Sequence, residues 1–69
     1  MRARWERERA QQLVEDVIRT HPEGATSDLL LGRLARVGVE EPDARALLAE
    51  MASARRLRLA GERWLLQVA

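Results

Sequence analysis

Apolar positions recur every three to four residues along most of this chain and every second residue near its C-terminal end. The change of period separates a helical part from a strand part. In the first segment Ala10, Leu13, Val14, Val17 and Ile18 share one helical face, which predicts helix 1 over about residues 2–20. Arg4 with Glu8, and Glu15 with Arg19, stand four apart and are expected to pair on its exposed side. His21-Pro22-Glu23-Gly24 ends the helix, because the proline biases His21 away from helical angles and the glycine suits a turn. A short extended stretch at Ala25 and Thr26 follows. Either Thr26 or Ser27 can then cap helix 2, expected over about 27–37, with Asp28 in its first turn and Leu30, Leu34 and Val37 on one face. Gly38 is placed to end it in the left-handed conformation. Helix 3, about 41–54, starts within Glu40-Glu41-Pro42-Asp43 and turns Ala44, Leu47, Leu48 and Met51 inward.

Beyond Arg55, Leu57, Leu59, Trp64 and Leu66 alternate with Arg56, Arg58, Arg63 and Gln67 around Gly61-Glu62. A two-residue turn with glycine first sets Leu59 opposite Trp64 and Leu57 opposite Leu66, giving a hairpin over about 56–68. One face is then core. The other carries Arg56, Arg58 and Arg63.

These 69 residues allow one domain, 1–69, of class α+β and mainly α. The sequence has no cysteine and a single histidine, so neither a disulfide nor a His/Cys zinc site is available, and apolar packing must hold the fold. No apolar run is long enough to cross a bilayer and the first residues do not read as a targeting peptide, so the expectation is a cytoplasmic protein without a membrane partner. Twelve basic against eleven acidic residues leave a net charge of +1, so any anion-binding surface must come from local arrangement. All the basic residues are arginine, which fits either a GC-rich coding sequence or selection for bidentate contacts to anions.

Three helices, a very short strand before the second, and a C-terminal hairpin give the order of the winged helix-turn-helix superfamily. The stretches Pro22–Leu30, Ala44–Met51 and Arg56–Trp64 resemble small bacterial winged-helix modules, such as those repeated at the C-terminus of the selenocysteine-specific elongation factor and those of transcriptional regulators. The resemblance implies a winged helix of three helices followed by a two-stranded β-hairpin. It implies binding rather than catalysis, but not which ligand, since DNA readers, RNA readers and protein-docking modules share the fold. Two features depart from the DNA-reading pattern. The start of helix 3, which would enter the major groove, is acidic at Glu40, Glu41 and Asp43, and the wing is cut to a two-residue turn.

The expected function is non-catalytic nucleic-acid binding, DNA ahead of RNA. Phosphate contacts are assigned to Arg33, Arg36, Arg45, Arg55, Arg56, Arg58 and Arg63, because guanidinium forks fit phosphate. A solvated, charge-protected sheet face is the plainer account of the same hairpin arginines. The alternative function is a protein-interaction module, a homodimer or a small subunit of a larger complex, docking through helix 1, Trp5, Arg9, Leu29 and Leu31. Trp5 lies off the apolar stripe, where Arg9 could stack on it, and Leu29, Leu30 and Leu31 cannot all face inward. Catalytic residues, metal ligands, cofactors and a small-molecule substrate are not expected. His21 has no cysteine partner, there is no phosphate-binding glycine loop, and capping or turn roles account for His21, Ser27 and Asp28.

Overall fold

The computed structural model describes residues 5–67. Along the chain run α1 (Arg7–Arg19), β1 (Ala25–Thr26), α2 (Ser27–Arg36), α3 (Glu41–Ser53), β2 (Leu57–Ala60) and β3 (Arg63–Leu66). The architecture is α+β, mainly helical, with a small antiparallel sheet of order β1-β3-β2.

The first helix begins later than its periodicity suggests. Glu6 is the N-cap in an extended conformation and Trp5 precedes it, so the helix starts at Arg7 rather than near residue 2. Arg4, one half of an expected ion pair, lies outside the described residues. At the other end, Pro22 and Glu23 occupy the middle of a turn closed by the Gly24 N–H donating to the His21 carbonyl at 2.8 Å. This turn delivers the chain into β1.

The sheet has three strands where a two-stranded hairpin was expected. The β2–β3 register is the anticipated one, Leu57 with Leu66, Arg58 with Leu65, Leu59 with Trp64 and Ala60 with Arg63. In addition, Ala25 pairs with Trp64 and Thr26 with Arg63, which makes the last strand the central one. Gly24 permits this pairing. Its φ is +99°, and a Cβ there would lie 2.9 Å from the Arg63 Cβ and 3.1 Å from the Trp64 carbonyl oxygen, so only glycine lets the two backbones come so close.

Thr26 caps α2, its hydroxyl accepting from the Leu29 N–H at 3.2 Å. Ser27 does other work: its hydroxyl accepts the Trp64 indole N–H at 2.8 Å, joining the start of α2 to the central strand. Helix α2 ends in a motif in which the Val39 N–H donates to Leu34 and the Gly38 N–H to Ala35. Its geometry corrects the expected core stripe. Val37 is the C-cap and 53% exposed, while the chain reverses at Gly38 and returns Val39 to fully buried contact with the core.

The core contains Ala10, Val14, Val17 and Ile18 of α1, Leu30 and Leu34 of α2, Val39, the predicted Ala44, Leu47, Leu48 and Met51 of α3, and Ala25, Leu57 and Trp64 of the sheet. Each large side chain shut away from water here contributes roughly 1.5–3 kcal/mol. Leu59, expected to share this face, is 53% exposed because the strand carries it past the cover of the helices. No described buried side-chain polar atom lacks a hydrogen-bond partner. No helix among the described residues is long and apolar enough to cross a membrane.

Candidate nucleic-acid interface

The seven arginines named from the sequence fall into two groups. Arg45, Arg56 and Arg63 are engaged within the fold. Arg45 sits one turn after Glu41 and pairs with it at 2.8 Å. Arg56, at the root of β2, reaches across to α1 and donates to Glu15 at 2.7 Å and to Gln11 at 2.9 Å. Glu15 therefore serves a contact across the domain rather than the expected pair with Arg19, and Arg19 pairs with Asp16 instead at 2.8 Å. Arg63 donates to the Gly24 carbonyl at 3.2 Å and so clamps the edge of β1.

Arg33, Arg36, Arg55 and Arg58 form the second group. They are exposed, and among the described residues none makes an ion pair or side-chain hydrogen bond. Arg33 and Arg36 follow Leu29 by four and seven residues, which places all three along one flank of α2. On the outer face of the hairpin, Arg58 pairs across with Leu65 and is the diagonal neighbour of Arg63. Arg55 follows the last turn of α3 with φ +64°, the left-handed region that side chains rarely adopt. The exposed first turn of α3 carries Glu41 and Asp43, whereas the four unpaired arginines lie on α2, on β2 and in the turn after α3.

A second feature lies along α1. Trp5, Ala10, Leu13 and Val37 line a groove between the first helix and the end of the second, with Glu6, Arg9, Gln12 and Asp16 at its rim. Trp5 is partly buried, not free, and packs against the core. The cation over its ring is Arg7, 5.9 Å from the centroid, instead of the expected Arg9. Arg9 turns back to Glu6 at 3.3 Å, and Arg7 also pairs with Glu50 of α3. Leu29 and Leu31 are half-buried against the core and do not line this groove. Sequence reasoning missed Leu13, Asp16 and Val37 as its lining; Glu6 with Leu13, and Arg9 with Asp16, are seven apart, and that repeat was the available signal.

The polar residues near β1 are held elsewhere. His21 Nδ1 lies 2.7 Å from the Val17 carbonyl, to which it can only donate, while Ser27 accepts from Trp64. No protein-family model, no curated protein and no solved structure matches the chain. Its reading therefore rests on its own residues.

Proposed function

We propose that this chain is a non-catalytic winged-helix module that binds nucleic acid, DNA ahead of RNA, through phosphate contacts. The element order α1-β1-α2-α3-β2-β3, with β3 between the other strands, supports the winged-helix reading. One observation carries the ligand: Arg33, Arg36, Arg55 and Arg58 are exposed guanidinium groups with no carboxylate partner among the described residues. Guanidinium forks left free in this way match phosphate oxygens. The acidic first turn of α3 argues for backbone contacts without base reading by that helix.

Gel-shift titration of the full chain against duplex DNA and an RNA hairpin at several salt concentrations tests this. Binding is expected to fall steeply with salt. Replacing Arg33, Arg36 and Arg58 together with alanine should reduce the magnitude of the log–log salt slope by about 2 to 3 and weaken all sequences alike. No retention of either nucleic acid by the native chain at low salt rejects the proposal.

A docking module for another protein is the second reading, and one observation favours it. The groove along α1 leaves Val37 half exposed beside Trp5 and Leu13, on a surface that uses none of the four unpaired arginines.

A further inference from the structure

Arg56 stands in the chain between two of the four unpaired arginines, Arg55 and Arg58, yet its charge is matched within the fold. The Gln67 N–H donates to the Arg56 carbonyl at 3.0 Å and carries the β2–β3 ladder beyond Leu57 and Leu66. Alternation therefore starts the Arg56 side chain on the same outer face of the hairpin as Arg58. From there it turns to α1, where its guanidinium donates to Glu15 and Gln11. Glu15 is 18% exposed, whereas the carboxylates of the other described ion pairs are all more than half exposed, so its charge is the least screened of them. Arg56 itself is 42% exposed and open to a ligand from solvent. We infer that Glu15 restrains nucleic-acid binding by drawing Arg56 away from the phosphate-contacting surface. This restraint rests on the proposed nucleic-acid binding and acts on the same surface.

A phosphate meets a different guanidinium at Arg56 than at Arg58. At Arg58 it displaces water alone. At Arg56 it must displace a carboxylate oxygen at 2.7 Å, and a charge-assisted bond of that kind is about twice as strong as a neutral one. The paired charge also adds nothing to the field that gathers phosphates, since Arg56 and Glu15 sum to zero. Other charges nearby do not alter this. Glu8 lies seven residues before Glu15 on the same flank of α1 and makes no ion pair among the described residues, Arg19 pairs with Asp16, and Glu62 sits in the turn at the far end of the hairpin. Among the described residues Glu15 is thus the one carboxylate paired with a hairpin arginine. A bridge that only stapled α1 to the hairpin would, on loss of the Glu15 charge, leave binding unchanged or weaker. Restraint demands the opposite sign.

Gel-shift titration of the full chain against duplex DNA and an RNA hairpin over a salt series tests the restraint. Glu15→Gln keeps the side-chain shape and a hydrogen-bond acceptor but removes the charge. It is expected to bind roughly threefold or more tighter than the native chain at low salt, and to steepen the log–log salt slope by about 1, one further phosphate contact. Glu8→Gln removes the same charge from the same flank without releasing an arginine, and should give a clearly smaller gain. In an Arg56→Gln background, the Glu15→Gln change should give no more than Glu8→Gln does. Arg56→Gln by itself should flatten the slope less than Arg58→Gln. Equal gains from Glu15→Gln and Glu8→Gln, a gain that survives without Arg56, or an Arg56→Gln loss as large as that of Arg58→Gln each overturns the restraint. Circular dichroism establishes that the variants fold, and the comparison of Arg56→Gln with Arg58→Gln leaves Glu15 in place. If neither the native chain nor Glu15→Gln retains either nucleic acid, the proposed binding and the restraint fall together. A native chain that binds while any of these comparisons runs the other way removes the restraint alone.

Discussion

At the end of α2 the left-handed position is Gly38, with φ +90°, and at the corresponding place after α3 it is Arg55, with φ +64°. The surrounding bonds are the same in kind. Val39 and Gly38 donate back to Leu34 and Ala35 at 3.0 and 3.1 Å, and Arg56 and Arg55 donate back to Met51 and Ala52 at 2.8 and 3.0 Å. Both helices thus end in one hydrogen-bonded motif, and one of them fills it with a residue whose Cβ crowds the neighbouring carbonyl. Arg55 offsets none of that cost through the described fold, since its guanidinium has no protein partner there. Under the proposed nucleic-acid binding, the exposed guanidinium at this strained position would be available to a phosphate. Gly38 adopts the same left-handed backbone without a Cβ to crowd it.

Substitutions at the left-handed positions sharpen this contrast. The largest effect is expected at Gly24→Ala, where conformational strain adds to collision with Arg63 and the Trp64 carbonyl oxygen. Urea denaturation should show a loss of about 3 kcal/mol or more. Gly38→Ala meets no atom within 4 Å, so its cost is conformational only, about 1–2 kcal/mol in the same assay. Arg55→Gly should run the other way and stabilise by about 1 kcal/mol while weakening retention of duplex DNA. A stabilised Arg55→Gly variant with unchanged DNA retention would assign the arginine no role in binding.

Much of the fold was legible because periodicity and packing agreed. The inward stripe of α3 and the hairpin register follow from spacing alone, since a slip of one residue would have exposed Leu57 and Trp64. Spacing failed where the chain changed direction. Val37 continues the α2 stripe on paper, but the helix has already ended there and the return at Gly38 brings in Val39. The pairing of β1 with β3 was hidden because two residues carry no alternation, and Gly24 hinted at a turn without naming the strand it would touch. The candidate site was legible as a composition of arginines, not as a set of free ones. Only tertiary placement shows that Arg56 is held by Glu15, forty-one residues away in sequence, and that Arg63 is held by a backbone carbonyl.

The sheet is ordered so that the strand made last lies between the two made earlier. Neither Ala25–Thr26 nor Leu57–Ala60 has its partner until residues 63–66 have been synthesised. The helices can therefore gather beforehand, but assembly of the whole unit waits for Arg63–Leu66 to thread between the flanking strands. A chain stopped short of them would present two unpaired edges at once, an invitation to stick to its neighbours.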